Sequence, residues 1–305
     1  MNRRNILKSI ALAGTGALMG GDLTSIQPKA KRVLRLAHLT DVHLRDADNA
    51  PDKFIKCLHI MQSLKDKPDM IFNGGDTIFD ALGTDKTSVE NQWQLWDKVI
   101  KAENDLPVVN CIGNHDVWGA GEKSDSLYGK KYALEKMGLD KPYHSFEKAG
   151  WKFIILDSTH PVGEGWYTAK LDDEQFDWIE KELEATPSTT PVMVMSHIPI
   201  LTATGFYEGN EKNGNWTVPG GWMHIDFNRI KKLFMQHANV KLCVSGHMHL
   251  LDKVEYNGVT YCCNGAVSGG WWGNEMYYET QAGFATVDLY EGGEFDVEYH
   301  TYSWS

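Results

Sequence analysis

The chain has 305 residues, of which 42% are hydrophobic and 23% are charged. Its 11 Trp, 12 Tyr and 11 Phe can bury more apolar surface than a disordered chain carries, which excludes a disordered protein. The longest apolar stretch, residues 10–19, is too short to cross a bilayer, so we expect no stable membrane insertion. A net charge of −11 without a basic stripe argues against a partner made of duplex nucleic acid.

The first 30 residues are typical of an export signal. Arg3 and Arg4 precede a weakly hydrophobic segment that Gly14 and Gly16 interrupt. This pattern resembles a twin-arginine signal, which implies a periplasmic or secreted protein. The alternative is a frayed, basic N-terminus. We therefore expect a signal segment over residues 1–30 and a single domain over residues 31–305.

The first half of this domain alternates predicted strands and helices. Apolar and polar residues alternate over residues 33–40, as in a half-buried strand, and residues 54–64 have apolar side chains at helical spacing. The same patterns continue with strands over residues 70–73 and 107–112 and helices over residues 89–100 and 127–137. Such β-α-β order is typical of a sheet with helices packed outside it.

The second half adds strands and hairpins. Strands are predicted over residues 153–156, 192–195 and 242–244, and helices over residues 172–183 and 227–235. Asn257-Gly258 predicts a hairpin turn within residues 254–262. A second hairpin is predicted from strands over residues 285–289 and 295–299. The whole pattern indicates a mixed sheet, or two sheets, with helices outside.

Five polar clusters each follow one of the predicted strands directly. They are Asp41-Val42-His43, Gly74-Gly75-Asp76, Gly113-Asn114-His115-Asp116, Ser196-His197 and Ser245-Gly246-His247-Met248-His249. Ligands of α/β sheets bind outside the carboxyl ends of the strands, so these clusters are expected to meet at one rim. Any one cluster is explained more simply as a cap, a turn or a buried histidine. Five in order favour a shared site.

The residue types of these clusters favour transition metals. Imidazole and carboxylate together suit Zn, Fe or Mn, whereas Mg and Ca prefer oxygen ligands. Asp41 and His43 stand two residues apart, so an extended backbone would direct both side chains to one face. His247 and His249 repeat this spacing. The candidate ligands exceed what one ion takes and predict two ions that share a carboxylate: Asp41, His43, Asp76, Asn114, His197, His247 and His249.

The ordered motifs from Asp41 to His249 resemble the calcineurin-like metallophosphoesterase superfamily, and the general layout is most similar to its class III cyclic-nucleotide phosphodiesterase branch. The resemblance implies an α/β fold, a four-layer αββα sandwich of two mainly mixed sheets with a dimetal site at the carboxyl ends of strands. It also implies two ligand sets. The first ion would bind Asp41, His43, Asp76 and His249, and the second would bind Asp76, Asn114, His197 and His247.

The same resemblance implies a hydrolase of phosphoesters that uses a hydroxide activated by two metal ions. His115 would then face the substrate and either stabilise the phosphoryl oxygens or protonate the leaving oxygen. Asp116 would orient His115, or else cap a helix. We expect a phosphodiesterase of small nucleotide-like or cyclic-nucleotide-like esters. The alternatives are an exported phosphomonoesterase that scavenges phosphate and, more remotely, a relative that binds a ligand or an envelope component without catalysis.

Aromatic residues flank the predicted site in the sequence. The long segment from residue 202 to residue 224 contains Trp216, Trp222 and His224, and the pair Trp271-Trp272 follows the last motif. Long loops in compact domains are usually functional, and aromatic side chains can stack on a base, so we predict a substrate wall. Packing of the same rings in the core is an equal alternative. Arg45 either meets a phosphate oxygen or is simply exposed.

Overall fold

Two β-sheets pack face to face in the computed structural model, which describes residues 30–162, 167–207 and 211–304. The predicted signal motif, Arg3-Arg4, lies outside the described residues. The helices of the described chain are α1 Ala50–Gln62, α2 Lys86–Glu103, α3 Lys131–Met137, α4 Asp173–Ala185 and α5 Phe227–Gln236. Within the described residues, no helix has both the length and the apolar character that a membrane span requires.

The strands are numbered in chain order. They are β1 Arg32–Leu39, β2 Met70–Asn73, β3 Val108–Asn110, β4 His144–Lys148, β5 Trp151–Leu156, β6 Thr159–Pro161, β7 Tyr167–Ala169, β8 Val192–Ser196, β9 Glu211–Lys212, β10 Asn215–Trp216, β11 Val240–Ser245, β12 Asp252–Tyr256, β13 Val259–Cys263, β14 Met276–Tyr277, β15 Thr280–Gln281, β16 Gly283–Tyr290 and β17 Phe295–Thr301. Short 3-10 helices span Thr204–Phe206 and Glu291–Gly293.

Both large sheets are mixed. The five-stranded sheet has the order β17-β16-β1-β2-β3, with β1, β2 and β3 parallel and β16 antiparallel to both of its neighbours. The six-stranded sheet has the order β12-β13-β11-β8-β5-β4, with four parallel central strands and an antiparallel strand at each edge. The parallel strands place their carboxyl ends along one side of each sheet.

Alternation along the strands separates the core into layers. In β1, Leu34 and Leu36 face the other sheet, whereas Ala37 and Leu39 pack with α1 and α2. In β8, Met193 faces the first sheet and Val194 packs with α4 and α5. Helices therefore cover the outer face of each sheet, and the predicted four-layer αββα sandwich is confirmed.

Several elements depart from the sequence prediction. The sequence predicted a helix from residue 127, but α3 begins at Lys131, because Gly129 has a left-handed backbone with a φ of +75°. Strand β4 is an edge strand and was not predicted, and neither was the short hairpin of β6 and β7. Short strands at an edge have too few residues for an alternation pattern to stand out.

Candidate metal centre

The loops that follow β1, β2, β3, β8 and β11 meet at the rim formed by the carboxyl ends of both sheets. Backbone hydrogen bonds connect these loops to one another: Asp41 N donates to Gly75 O at 3.0 Å, and His43 N donates to Asp76 O at 2.9 Å. Gly246 N donates to His197 O at 3.0 Å, which joins the loops after β11 and β8. The rim is therefore held by main-chain bonds as well as by side chains.

Five of the predicted ligands have a left-handed backbone. The φ angles are +55° at Asp41, +46° at His43, +52° at Asp76, +70° at His247 and +56° at His249. The expectation of an extended backbone at the Asp-x-His and His-x-His pairs is therefore wrong. A left-handed residue other than glycine costs about 1–2 kcal/mol, and such strain concentrates at functional sites.

The first ligand cluster consists of Asp41, His43 and His249, all buried. His43 Nε2 lies 3.1 Å from His249 Nε2. Asp41 Oδ1 lies 3.4 Å from His249 Nε2 and 3.8 Å from His43 Nε2. Three ligand atoms thus surround one small space, as a bound cation requires.

The second cluster consists of Asp76, His197 and His247, with Asn114 beside it. His197 Nε2 lies 3.2 Å from Asp76 Oδ2 and 3.1 Å from Asn114 Oδ1. Asp76 Oδ2 also lies 3.7 Å from His43 Nε2, in the first cluster. Asp76 therefore stands between the two clusters. His247 and His249 belong to different clusters, as the family resemblance implied, although their two-residue spacing alone had suggested one shared ion.

Hydrogen bonds orient the imidazoles of the first cluster for metal binding. His43 Nδ1 faces the carbonyl oxygen of Phe79 at 3.4 Å, and His249 Nδ1 faces that of Gly269 at 2.9 Å. A carbonyl oxygen accepts only from an N–H, so each ring carries its proton on Nδ1 and a lone pair on Nε2. Two lone pairs that face each other at 3.1 Å fit a cation between them.

The second cluster is arranged in a similar way. His197 Nδ1 faces Gly74 O at 2.9 Å, which leaves Nε2 for a ligand role. The buried Nδ1 of His247 has no hydrogen-bond partner among the described residues. A buried polar nitrogen without a partner is rare in proteins, and a metal ion would satisfy it. The residues present therefore fit two transition-metal ions.

The electrostatics of the site differ from one histidine to the next. Burial lowers the pKa of His43 well below its usual value, and burial lowers the pKa of His247 to about 3. Both rings are therefore neutral and able to bind a metal. Burial also acts to lower the pKa of His197, but the adjacent Asp76 carboxylate outweighs it and raises the pKa to about 9. This corner of the site attracts a proton or a metal ion.

Glycine is required where two of these loops pass each other. A Cβ atom at Gly246 would overlap both Thr40 and the carboxylate of Asp41. A Cβ atom at Gly113 would overlap the backbone nitrogen and the carboxylate of Asp76. The glycines thus let the backbone come within contact distance of the predicted ligands.

His115 lies at the mouth of the site and contacts Asp80, which the sequence analysis missed. His115 Nδ1 lies 3.1 Å from Asp80 Oδ1, and the His115 backbone N–H donates to Asp76 Oδ1 at 2.8 Å. Burial lowers the pKa of His115, but Asp76 and Asp80 outweigh it and raise the pKa above the usual value. The sequence carries no local signal for this contact, because Asp80 belongs to none of the five polar clusters and lies 35 residues from His115.

The predicted role of Asp116 in orienting His115 is not what the structure shows. The buried Asp116 carboxylate accepts hydrogen bonds from three backbone N–H groups, those of Gly113, Thr77 and Ile78. These bonds join the loops after β2 and β3. Asp80, and not Asp116, is the carboxylate that holds the His115 ring.

A cavity of about 150 Å³ opens beside both clusters. Its lining combines ligands with aromatic side chains: Asp76, His115, Tyr167, Tyr207, Trp222, His247, Met248, His249, Trp271 and Tyr277. Of the predicted substrate wall, Trp222 and Trp271 line this cavity. A larger cleft of about 490 Å³, between β3 and β4, contains none of the predicted site residues.

The remaining predicted wall residues lie elsewhere. Trp272 is fully buried, and its Nε1 donates to the carbonyl oxygens of Val42 and His43, so it belongs to the core. His224 is also buried, because its ring is held between Ser196 and Asp226. These predictions were wrong because sequence does not show which face of a ring becomes covered.

Trp216 and Arg45 are not in the cavity lining either. Trp216 is 53% exposed and packs edge-on against Phe206. The Arg45 guanidinium stacks over the Phe79 ring at 4.0 Å, contacts Asp48 and donates to Trp271 O at 3.3 Å. Arg45 is therefore committed to contacts within the protein. Residues 208–210 of the predicted wall lie outside the described part of the chain.

A four-layer sandwich that brings two sets of metal-binding side chains to one rim defines a candidate dinuclear metallohydrolase. The family model for calcineurin-like phosphoesterases matches residues 34–251, and the chain belongs to this family. The matched segment contains all seven predicted ligands. No protein with a curated description matches the chain.

Solved structures share the fold at low sequence identity. A dimetal phosphatase from Danio rerio is 15% identical with a TM-score of 0.61, over 90% of this chain and 100% of that one. GAP50 of Plasmodium, described as the anchor in the inner membrane complex, is 13% identical with a TM-score of 0.56, over 89% of this chain and 85% of that one. At these identities the similarity concerns the fold.

Proposed function

We propose that the protein is an exported dinuclear phosphodiesterase that hydrolyses a small, nucleotide-like ester. One observation carries the proposal: Asp76 lies between two clusters of metal-binding side chains, and His115 lines the cavity beside them. A non-catalytic binding protein would not need His115 held by a carboxylate at this point. The sequence resemblance to the class III cyclic-nucleotide phosphodiesterase branch supports a diester substrate.

Each cluster would hold one ion of Fe, Mn or Zn. Asp41, His43 and His249 would bind the first ion, His197, His247 and Asn114 would bind the second, and Asp76 would bind both. When bound, a pair of ions lowers the pKa of a coordinated water and neutralises charge on the phosphoryl group. The chain itself supplies the imidazoles and fixes their orientation through ring N–H bonds to carbonyl oxygens.

His115 is proposed to act on the substrate directly. Its Nδ1 is occupied by Asp80, so Nε2 is the ring nitrogen available to an ester in the cavity. From there it can donate a proton to the leaving oxygen or a hydrogen bond to a phosphoryl oxygen. Asp80 would maintain the tautomer and the position of the ring, as a carboxylate does for a catalytic histidine.

The aromatic side of the cavity supports a substrate with a flat or apolar group. The rings of Tyr207 and Trp222 have centroids 5.1 Å apart, and Tyr277 lies 6.5 Å from Tyr207. Stacking of a base on such rings contributes about 1–3 kcal/mol and tolerates different bases. We infer that the group esterified to phosphate lies here.

The proposal is tested by comparing two chromogenic esters on protein loaded with Mn²⁺ or Zn²⁺. Bis-p-nitrophenyl phosphate, a diester, is expected to have a higher kcat/KM than p-nitrophenyl phosphate, a monoester. The reverse order would favour the phosphate-scavenging phosphomonoesterase. An Asp76→Asn variant is the matched control for adventitious hydrolysis. Absence of turnover on both esters by fully loaded protein would contradict the enzymatic proposal.

A further inference from the structure

We propose that Val267–Trp272, which we call the clip, is a positioning element for the ligand cluster of Asp41, His43 and His249 alone. The inference rests on the proposed metal centre and not on which ester is cleaved. The clip follows β13 and belongs to none of the five predicted polar clusters. Its contacts nevertheless reach all three ligands of the first cluster.

The start of the clip binds the backbone of the first ligand loop. Val267 N donates to Thr40 O at 3.0 Å, and Ser268 N donates to Asp41 O at 3.2 Å. The Ser268 hydroxyl donates to the same Asp41 oxygen at 2.7 Å. These bonds fix the left-handed backbone from which the Asp41 carboxylate projects.

The middle and end of the clip bind the two histidines. Gly269 O accepts from His249 Nδ1 at 2.9 Å, which selects the tautomer with a free Nε2. The Trp272 indole N–H donates to Val42 O at 2.8 Å and to His43 O at 3.0 Å. Trp272 therefore anchors the ligand loop from inside the core.

The Trp271 ring holds the imidazoles themselves. Its centroid lies 3.8 Å from the His43 ring with 32° between the planes, and 5.2 Å from the His249 ring. The His115 ring contacts it edge-on at 5.0 Å. An aromatic plate at these distances restricts rotation of His43 and shields one side of the cluster from water.

The backbone of the clip is strained, and cations hold it in place. Trp271 and Trp272 have consecutive φ angles of +59° and +68°, a conformation that bulky residues avoid. Arg45 donates to the carbonyl oxygen of Trp271 at 3.3 Å, and Lys53 donates to that of Trp272 at 2.8 Å. Strain retained beside ligands points to a role in positioning them.

The clip serves one cluster and not the other. Within the described residues, its hydrogen bonds to the site reach Thr40 to His43 and His249, and none reaches Asp76, Asn114, His197 or His247. Removing a group that orients a metal ligand typically lowers metal affinity 10- to 100-fold. Loss of the clip contacts should therefore weaken the binding of one of the two metal ions.

The test follows release of Zn²⁺ from the loaded full-length protein to a chelating indicator. In Trp271→Ala and in Ser268→Ala, one of the two ions should leave about 10- to 100-fold faster, and the other at the wild-type rate. Trp271→Phe retains an aromatic plate and should restore most of the slow release. Trp222→Ala is the matched control, because Trp222 lines the same cavity without hydrogen-bonding a ligand, and it should leave both rates unchanged.

A His249→Ala background identifies the ion. Because that change removes the first cluster, adding Trp271→Ala should have no further effect on the remaining ion. Two outcomes overturn the proposal: unchanged release of both ions, or equal acceleration of both with a lower melting temperature, which marks a merely structural role.

A second measurement needs no metal and separates this inference from the proposed function. In the metal-free protein, Trp271 should shift the ring proton signals of His43 upfield, and Trp271→Ala should remove that shift. Protein that takes up no zinc would contradict the proposed function. The spectrum of the metal-free protein would still test whether the clip positions His43. If the His43 signals are the same in wild type and in Trp271→Ala, the proposed positioning role of the clip is overturned.

Discussion

Among single residues, Asp76 contacts the most parts of the site: it touches ligands of both clusters and the loop that carries His115. Its Oδ2 lies 3.2 Å from His197 and 3.7 Å from His43, and its Oδ1 accepts the backbone N–H of His115. One carboxylate therefore fixes the separation of the two clusters and the start of the His115 loop. Replacement of Asp76 should affect metals and catalysis together, whereas replacement of His115 should not.

His115→Ala is expected to lower kcat about 10²- to 10⁴-fold while both metal ions stay bound, because a proton donor contributes to the barrier and not to metal retention. The measurement pairs steady-state kinetics with elemental analysis of the same sample. Loss of an ion in this variant would show that His115 is itself a ligand.

Asp80→Asn is expected to lower kcat about tenfold or more with little change in KM, since the amide holds the His115 ring less well than the carboxylate does. Asp85→Asn is the matched control: Asp85 caps α2, and Asn caps a helix equally well, so its kinetics should equal wild type. If Asp80→Asn has the kcat and KM of the wild type, Asp80 does not support His115.

The identities of the ligands were accessible from the sequence because two local signals coincided at each of them. Asp41 and His247, for example, follow short apolar strands and are of types that bind transition metals. Their left-handed backbone was not accessible, since it arises from hydrogen bonds between loops far apart in sequence, such as Asp41 N to Gly75 O. Asp80 was missed for the same reason, because its partner His115 lies 35 residues away.

At the scale of elements, the segment between β8 and α5 divides into a wall and an outer part. Trp222 packs with Tyr207 in the cavity lining, whereas Trp216, at the end of the β9-β10 hairpin, packs with exposed Phe206. The sequence placed both tryptophans in one wall, because a glycine-rich segment has no periodicity that separates inward from outward positions. The long elements β1 and α1 were predicted well, since their periodicity reflects burial on one face.

Trp222→Ala is expected to raise KM for a nucleotide diester roughly tenfold or more, equivalent to about 1.4 kcal/mol of lost stacking, and to spare bis-p-nitrophenyl phosphate. Trp216→Ala should leave KM unchanged for both substrates, because the Trp216 ring lies outside the cavity lining. Equal losses on both substrates, together with a lower melting temperature, would identify Trp222 as a core residue instead.

The whole molecule brings two sheets together to complete each cluster. Asp41 and His43 follow β1 of the five-stranded sheet, and their partner His249 follows β11 of the six-stranded sheet. The second cluster combines Asp76, after β2, with His197 and His247 from the other sheet. Each proposed ion would therefore join both halves of the sandwich, and a complete ligand set requires the two sheets to be packed together.

Export is a prediction for the whole chain. Replacing Arg3 and Arg4 with Lys should retain the protein in the cytoplasm, folded and loaded with metal, because twin-arginine export depends on the arginine pair. Fractionation of cells that express the two forms measures this. Equal amounts of both forms outside the cytoplasm would show that the arginine pair does not direct export.

Metal content measured together with activity tests the central claim most directly. Protein purified without a chelator should approach two transition-metal ions per chain, because the two clusters offer more ligands than one ion takes. Asp76→Ala should lose metal and activity together, since that carboxylate lies between both clusters. A reproducible content of one ion per chain with full activity would contradict the dinuclear account.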